Sequence, residues 1–120
     1  MLGLGIDVVE TERIGRALQK WGNRFANRLL TPEELALCQA KGSFEQSFAV
    51  RFAAKEAFFK ALPGSRSAGL SWQDVAVLNA ASGRPYVRLS AHARQLLGNH
   101  KVHVSLSHSE RTAVAVVLIE

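Results

Sequence analysis

Two carboxylates in this 120-residue chain are placed where a strand and a helix could bring their oxygens together. Asp7, one of only two aspartates, follows a strand pattern that contains glycine, and Glu56 lies in the longest helical pattern. Mg²⁺ takes one or two protein carboxylates and completes its coordination with water and substrate phosphates. Arg51, Lys55 and Lys60 belong to the same helical pattern and would neutralise such phosphates. These residue types suggest a metal site that handles phosphate.

A central helix has to position most of these groups. At 100° per residue, Lys55 falls within the apolar stripe, whereas Glu56 and Lys60 lie close together on another side. A buried ammonium is costly, so Lys55 either extends to solvent or faces a polar cleft, and we favour the cleft. Glu56 and Lys60 could alternatively form an ordinary surface ion pair across one turn. The helix is predicted from about Phe44 to Leu62, and its apolar stripe contains Phe44, Phe48, Phe52, Phe59 and Leu62.

A strand at the start of the sequence has to position Asp7. Apolar side chains alternate there with residues that have almost none, which predicts one apolar face and one nearly bare face. Glycine weakens a strand unless another part of the molecule approaches closely. The apolar positions are Leu2, Leu4, Ile6 and Val8, and the other face carries Gly3, Gly5 and Asp7.

A basic helix is predicted from about Thr11, with Trp21 and Phe25 as core residues on its apolar stripe. Arginine and lysine side chains share another face if the helix persists through Gly22, and no acid occurs between Arg13 and Arg28. The whole chain has 15 Lys and Arg against 10 Asp and Glu, a net charge of +5. An acidic partner is therefore expected at this face. Its residues are Arg13, Arg16, Lys20 and Arg24, with Arg28 beyond.

The remaining segments predict one α+β domain over residues 1–120, with a small, mainly antiparallel sheet packed on the central helix. Thr31-Pro32-Glu33-Glu34 predicts a helix start, and that helix should end near Lys41 and Gly42. Further predicted elements are strands at Val75–Leu78 and Tyr86–Leu89, a helix at Ala91–Leu97, a strand from Val102, a turn at Ser107–Arg111 and a strand at Thr112–Ile119.

Several classes of protein are disfavoured by the composition. The longest apolar stretch, Ala113 to Ile119, is far shorter than the roughly 20 residues of a membrane span, so no membrane association is expected. The first residues do not resemble a secretory leader, and a lone Cys38 cannot form an internal disulfide, so we expect a cytoplasmic location. Cys38 itself is typical of a small buried hydrophobe. The four histidines lack zinc-type spacing with that cysteine.

Two predicted loops also carry polar side chains. Gly83-Arg84-Pro85 is first a connection between strands and only second an anion-binding loop. Ser107-His108-Ser109 is predicted as a hairpin loop, and a serine next to a histidine in sequence does not define a catalytic pair. The spacing of glycines supports neither a phosphate loop of the Walker type nor a dinucleotide fingerprint.

Three segments together resemble the signature blocks of the small bacterial holo-acyl-carrier-protein synthases, which are 4′-phosphopantetheinyl transferases. The segments are residues 4–10 (LGIDVVE), residues 48–61 (FAVRFAAKEAFFKA) and residues 105–109 (SLSHS). They occur in the order and at the chain length usual for that family. The block around Lys55 and Glu56, with Lys60 four residues on, is the most specific.

The resemblance implies the transferase fold and transfer of the 4′-phosphopantetheine arm of coenzyme A to a serine of apo acyl carrier protein. Adenosine 3′,5′-bisphosphate would be released and Mg²⁺ required. Asp7 and Glu56 match the metal ligands, Glu56 and Lys60 the catalytic residues, and Lys60 the contact to the pyrophosphate. Arg51 and Lys55, in the same block, are expected to support coenzyme A binding. Larger relatives have a third acidic ligand where this chain has Val9, so water would fill that position.

The small enzymes of this family are homotrimers that bind coenzyme A between protomers. By that likeness, Gly83, Arg84, Pro85, Ser107 and His108 would come from the neighbouring subunit. The basic helix face matches the region that meets the acidic carrier protein, and complementary charge would steer that encounter. The general base, the range of carrier proteins and the tolerance of acyl-coenzyme A are left open.

Two other functions compete with this interpretation. A nucleic-acid-binding module would use the basic stripe, but Trp21 and Phe25 are expected in the core rather than on that stripe, so no nucleic acid partner is predicted. A Mg²⁺-dependent phosphohydrolase would share the carboxylates but would need no docking face for an acidic protein. The resemblance favours the transferase.

Overall fold

One long helix and the antiparallel strands packed on it contain most of the buried side chains. The computed structural model describes residues 2–40, 42–64 and 69–120. The elements, in chain order, are β1 (Gly3–Glu10), α1 (Thr11–Trp21), α2 (Asn23–Leu29), α3 (Pro32–Ala40), α4 (Phe44–Ala61), a 3₁₀ helix (Trp72–Asp74), β2 (Val75–Asn79), β3 (Pro85–Leu89), α5 (Ala91–Leu97), β4 (Val102–His108) and β5 (Thr112–Ile119).

Two antiparallel sheets are formed by these strands. The larger has the order β1-β5-β4, with Asp7 opposite Ala115 and Leu106 opposite the same alanine from the other side. The smaller is the β2-β3 hairpin. The predicted α+β class, with an antiparallel sheet packed on a long central helix, is confirmed.

Strand β1 lies against α4 through its glycine face. A Cβ atom at Gly3 would stand 1.6 Å from the carbonyl oxygen of Ala61, and one at Gly5 would stand 1.9 Å from that of Ala57. The close approach that glycine predicts in a strand is therefore present. The apolar side chains on the other face point outward, and Leu4, Ile6 and Val8 are each about 60% exposed.

The predicted basic helix is interrupted at Gly22, which has a φ of 62° and separates α1 from α2. The expectation of one continuous helix through this position is wrong, and Arg24 does not continue the helical face of α1. Trp21 is 58% exposed, so the prediction that it is a core residue is also wrong. Because the chain turns at Gly22, it is Phe25 on α2 that stacks on Phe48, with 5.3 Å between ring centroids.

The other boundaries follow the sequence closely. A reciprocal capping box opens α3: Thr31 N donates to Glu34 Oε1 at 2.9 Å, and Glu34 N donates to Thr31 Oγ1 at 3.2 Å. Ser107 and His108 differ from prediction, since they are the last two residues of β4 rather than part of a loop. Within the residues described, no helix is both long and apolar enough to cross a membrane.

Candidate active site

Asp7 and Lys60 form an ion pair between β1 and α4. Lys60 Nζ lies 2.8 Å from Asp7 Oδ1 and also donates to the carbonyl of Ile6 at 3.2 Å. The Asp7 side chain is only 10% exposed, whereas that of Lys60 is 56% exposed and can turn to a ligand. Within the described residues, the second oxygen of Asp7, Oδ2, is buried and has no hydrogen-bond partner.

Glu56 lies on α4, beside Asp7 of β1. Burial raises the pKa of its carboxyl group above the usual value, and the nearby negative charge of Asp7 raises it further. Arg13 and Lys60 are close enough to oppose this effect by favouring the charged form. The hydrogen bond to Asp7 raises the pKa of Lys60, and the negative charge of Asp7 raises it further. The two carboxyl groups are therefore close enough for their charges to repel, and a proton shared between them would also favour the neutral form of Glu56.

This arrangement of two carboxyl groups suits a bound divalent cation. A cation between the two carboxylates would relieve their repulsion and give Asp7 Oδ2 a partner. No group of three or more His, Cys, Asp and Glu side chains that could hold a metal occurs in the part of the chain that the structure describes. Asp7 and Glu56 therefore fit Mg²⁺, which retains water and substrate phosphate ligands, rather than a metal enclosed by protein groups alone.

A cleft of about 740 Å³ opens in front of Glu56, and we call it the Glu56 cleft. Glu56, Phe59 and Lys60 of α4 form one side of it. The opposing wall consists of Arg28, Leu70, Ser71 and Trp72. The rings of Phe59 and Trp72 meet edge to face, with centroids 5.4 Å apart. The cleft therefore combines cationic groups for phosphate with an apolar surface for an organic chain.

Lys55 does not face this cleft. Its side chain is fully buried, and Nζ lies 2.6 Å from Glu34 Oε1 while donating to the carbonyls of Leu29 and Trp72. These three acceptors use all three protons of the ammonium. The prediction that Lys55 reaches a polar cleft is wrong, because Glu34 supplies the charge that allows the ammonium to be buried. The fully buried Lys55 side chain offers no exposed surface for the predicted contact with coenzyme A.

Arg51 lies in a second cleft, of about 550 Å³, which we call the Arg51 cleft. Arg51 is buried, at 4% exposure, and its guanidinium donates to Val77 O, Ser47 O, Ser47 Oγ and Asn79 Oδ1 at 2.7 to 3.2 Å. These acceptors are all neutral, so the positive charge is buried without an anion among its hydrogen-bond partners. Pro85 and His108 line the same cleft. The arrangement suits a phosphate or another anion.

The two clefts lie on different sides of the chain and share no lining residue. Arg51 and Lys60 are nine residues apart on α4, which places them on opposite faces and roughly 13 Å apart along the helix axis. The structure therefore groups the predicted residues into Asp7, Glu56 and Lys60 on one side, and Arg51, Pro85 and His108 on the other.

The other predicted loop residues do not join the Arg51 cleft. Arg84 lines a separate cleft with Tyr86 and His103. Ser107 lies opposite Val114 on the outer face of the sheet, whereas His108 lies opposite the buried Ala113. Gly83, with a φ of 90°, forms the turn and accepts a hydrogen bond from Asn79. Ser107 and His108 therefore lie on opposite faces of the sheet, and their predicted contact with coenzyme A from a neighbouring subunit stays a prediction.

The predicted docking residues are distributed more widely than one helix face. Arg13 lies close enough to Glu56 to affect its pKa, and Arg28 lines the Glu56 cleft. Arg16 is paired with Glu12 at 3.0 Å, which offsets part of its charge. Lys20 Nζ lies 4.9 Å from the centroid of the exposed Trp21 ring. Of the predicted docking residues, Arg13 and Arg28 thus lie next to the site, whereas Arg16 and Lys20 interact with neighbours on α1.

Sequence reasoning missed Glu34 and Asn79. Glu34 was identified only as a helix cap, yet a lysine inside an apolar stripe requires an acidic partner, which was the available signal. Asn79 connects Arg51 to the 80–84 turn, because its Oδ1 accepts from Arg51 at 2.9 Å and its Nδ2 donates to Gly83 O at 3.0 Å. Nothing in the sequence pattern pairs residues 28 positions apart in this way.

Comparison with known proteins shows the family and the fold. Residues 3–117 match the model of the 4′-phosphopantetheinyl transferase superfamily. A holo-[acyl-carrier-protein] synthase of Koribacter versatilis is 42% identical over 123 residues, covering 100% of this chain and 98% of that protein. The Helicobacter pylori enzyme of the same name, solved in complex with coenzyme A, has a TM-score of 0.82 at 29% identity, covering 98% and 99% of the two chains.

A third comparison concerns a holo-(acyl-carrier-protein) synthase of Bacillus anthracis, solved in complex with CoA (3′,5′-ADP). It has a TM-score of 0.80 at 38% identity, and the match covers 99% of this chain and 96% of that one. The family match, the relative in sequence and the two solved structures each cover nearly the whole chain. This chain therefore belongs to the 4′-phosphopantetheinyl transferase superfamily and, within it, to the holo-[acyl-carrier-protein] synthases, which are enzymes.

Proposed function

We propose that this protein transfers the 4′-phosphopantetheine arm of coenzyme A to a serine hydroxyl of apo acyl carrier protein. The reaction releases adenosine 3′,5′-bisphosphate and requires Mg²⁺. The observation that carries the proposal is the ion pair of Lys60 with Asp7, with Glu56 beside Asp7 and with both Glu56 and Lys60 lining one cleft. The names of the relatives, and the coenzyme A bound in two solved structures, support the donor and the acceptor.

Asp7 and Glu56 would hold the metal, and Lys60 would bind the pyrophosphate of coenzyme A. When bound, Mg²⁺ would polarise the pyrophosphate and stabilise the leaving phosphate. The exposed Lys60 side chain leaves Asp7 and donates to the phosphate oxygens, which adds positive charge where negative charge develops. Phe59 and Trp72 give the pantetheine arm an apolar surface. The general base stays unassigned between Glu56 and water.

The nucleotide end of coenzyme A is proposed to bind in the Arg51 cleft of a neighbouring copy of the chain. Arg51 carries a buried charge with neutral partners, and His108 and Pro85 lie beside it. Because the two clefts lie on different sides of one chain, one coenzyme A can contact both only across a subunit interface. This division supports the homotrimer that the family likeness implies, with Gly83 and Arg84 near the same interface.

The outer face of the larger sheet offers the surface for such an assembly. Leu4, Ile6 and Val8 of β1 lie opposite Leu118, Val116 and Val114 of β5, and these side chains are exposed or half-buried. A contiguous apolar face of this kind is typical of an interface between copies.

The acidic carrier protein is proposed to dock on the basic surface beside the Glu56 cleft. Arg13 and Arg28 lie nearest the site, and Arg16, Lys20 and Arg24 extend the surface along α1 and α2. Complementary charge would speed the encounter and make its rate fall with ionic strength. No nucleic acid partner is proposed, and the cytoplasmic location stays a prediction.

Intact-protein mass spectrometry tests the proposed reaction directly. The protein is incubated with coenzyme A, Mg²⁺ and an apo acyl carrier protein, and parallel samples contain a chelator or a carrier whose serine is replaced by alanine. We expect a gain of about 340 Da on the intact carrier alone, dependent on the metal, as the transferred phosphopantetheine requires. No gain with a carrier that another transferase can modify would contradict the proposal.

A further inference from the structure

The buried ion pair between Lys55 of α4 and Glu34 of α3 lies outside the proposed chemistry. Its hydrogen bonds reach three further elements. Lys55 Nζ bonds to Glu34 Oε1 in the first turn of α3, to Leu29 O at the end of α2 and to Trp72 O in the 3₁₀ helix. Both side chains are fully buried. Leu29 is the last residue of α2, so the ammonium also binds one of the carbonyls that a helix end leaves unpaired.

Glu34 extends the same set of contacts to the smaller sheet. Its Oε2 accepts from the backbone N–H of Val77 in β2 at 2.8 Å, while its Oε1 also accepts from Thr31 N at 2.9 Å. One buried pair thus connects α4 with α2, α3, the 3₁₀ helix and β2. Gln73 adds a second connection at the surface, because its side-chain amide donates to the carbonyls of Asn27 and Leu30.

These bonds are made to a residue of the opposing wall of the Glu56 cleft and to a residue next to it. Arg28 precedes Leu29, and Ser71 precedes Trp72, which itself lines the cleft. Lys55 also immediately precedes Glu56 on α4, so the same turn of helix carries the site on one side and the anchor of the wall on another. The distance across the cleft is therefore set by the length of the Lys55 side chain and its bonds.

An apolar side chain at position 55 could fill the space but could not fix this distance. It would leave the carbonyls of Leu29 and Trp72 without donors, and these segments could then shift until water reached them. An ammonium that bonds three oxygens holds each of them at a defined distance. A misplacement of about 1 Å in a binding surface is enough to weaken binding or catalysis substantially.

From these contacts we propose that Lys55 and Glu34 are positioning residues, which hold Arg28 and Ser71–Trp72 at the correct distance from Glu56 and Lys60 for coenzyme A to bind. The inference rests on the proposed function, since it assigns coenzyme A to the Glu56 cleft. Neither residue touches the ligand. Their effect is on the shape of the cleft and hence on the affinity for coenzyme A.

The test compares the wild type with the double variant Lys55→Met/Glu34→Gln. Removing both charges together avoids leaving one buried charge alone, which would unfold the protein for an unrelated reason. The matched control is Glu33→Gln/Arg88→Met, which removes an exposed ion pair of 2.9 Å from the same helix α3. KM for coenzyme A and kcat are measured at saturating carrier protein. Backbone amide hydrogen exchange over residues 69–77 is measured on the protein alone.

We expect the double variant to raise KM for coenzyme A by about ten-fold or more, with kcat changed less than about two-fold. Amides of residues 69–77, and that of Val77 in particular, should exchange faster than in the wild type. The control should match the wild type in all three quantities. A lower melting temperature with unchanged KM and unchanged local exchange would show that the pair only stabilises the fold and would overturn the proposal.

A milder variant keeps the test decisive if the double variant fails to fold. Lys55→Arg keeps the buried charge and its pairing with Glu34 but changes the length and shape of the group that bonds the carbonyls of Leu29 and Trp72, and it should raise the same KM by about two- to three-fold. An unchanged KM would contradict the inference. If the wild type neither transfers phosphopantetheine nor binds coenzyme A, the proposed function fails by itself, and hydrogen exchange alone then decides whether the pair positions the wall.

Discussion

Lys55 and Lys60 lie five residues apart on α4, and their surroundings give them opposite roles. Lys55 is enclosed with Glu34 and two carbonyls, so it fixes neighbouring elements. Lys60 is mostly exposed beside Asp7 and can exchange that partner for a phosphate. The difference follows from the partner within reach of each ammonium, because helix position alone places neither group in a particular environment.

Glu56→Gln should reduce transfer by about 100-fold or more, because it removes one of the two charges proposed to hold the metal. The free energy of unfolding should stay the same or rise slightly, since burial and Asp7 both disfavour the charged form of Glu56. Rates of carrier modification and thermal unfolding measure the two effects.

The matched control for this variant is Glu45→Gln, the same chemical change at an exposed position in the first turn of α4. It should leave the transfer rate unchanged. A Glu56→Gln enzyme with full activity would show that Glu56 does not belong to the metal site.

The sequence predicted the strand and helix that carry Asp7 and Glu56, and the family resemblance added their roles. It could not predict the neighbour of Lys55, because Glu34 is 21 positions away and already had a local role as a helix cap. Trp21 was misplaced for a related reason. The apolar periodicity of the sequence continues through Gly22, whereas the positive φ of this glycine turns the chain. Because Trp21 is exposed, its predicted place in the core no longer argues against a nucleic-acid-binding function. The preference for an enzyme over a nucleic-acid-binding module therefore rests on membership of an enzyme family.

At the scale of elements, the site depends on how closely β1 approaches α4. The glycine face of β1 brings its backbone against the carbonyl oxygens of Ala57 and Ala61, and Asp7 follows two residues after Gly5 on the same face. The strand boundaries and alternation were predictable from sequence. Which face would be buried was less so, since the usual rule places the apolar face inside and here it is the bare face that packs.

Gly5→Ala should lower the free energy of unfolding by about 3 kcal/mol, because the added Cβ would stand 1.9 Å from a backbone carbonyl that cannot move without the helix. Chemical denaturation measures the change. Gly15→Ala is the control, because its Cβ would lie 4.0 Å from Glu45 and its position inside α1 favours alanine. It should stabilise the protein by about 0.5 to 1 kcal/mol. Equal effects of the two substitutions would contradict the packing argument.

The 3₁₀ helix that precedes β2 should give stability a dependence on pH through Asp74. Its carboxylate accepts from Ser71 N at 2.8 Å and from Ser90 Oγ at 2.6 Å, and the bond from the backbone N–H contributes most to a lowered pKa. A carboxyl group with a lowered pKa stabilises the fold above its ordinary value of 3.8, and this contribution is lost as the pH falls through the folded-state pKa.

Asp74→Asn should therefore lower the melting temperature at neutral pH, and its difference from the wild type should shrink as the pH falls below about 4. Thermal unfolding across a pH series measures this difference. A gap that is constant from pH 7 to pH 2 would show that the charge on Asp74 does not contribute.

At the scale of the whole molecule, one chain has two clefts with no lining residue in common and an exposed apolar face on the larger sheet. The fold class was accessible from sequence, because alternation, helix caps and turn residues are local signals. The apolar outer face was not, since exposed apolar side chains such as Ile6 look in sequence like core residues. The homotrimer was expected only from the family resemblance, and the separation of Arg51 from Lys60 within one chain supports it as a proposal.

Mixing two inactive variants should restore activity if the site is shared between copies. Lys60→Ala disables the Glu56 cleft and His108→Ala disables the Arg51 cleft, so each homo-oligomer contains only defective sites. Unfolding and refolding the two in equal amounts should restore about one quarter of the wild-type rate, because chance assembly joins two intact half-sites that often. Refolding each variant alone is the control. A mixture no more active than its components would show that both clefts serve a site within one chain.

The order of strands in the larger sheet also has a consequence for how the protein is made. β5 lies between β1 and β4, so the first strand to be synthesised receives its neighbour only when residues 112–119 have followed. At ribosomal speeds of about 5 to 20 residues per second, this interval is roughly 5 to 20 s. During that time the apolar side chains of the nascent β1 have no strand beside them, and the emerging chain is a natural client for chaperones that bind extended apolar segments.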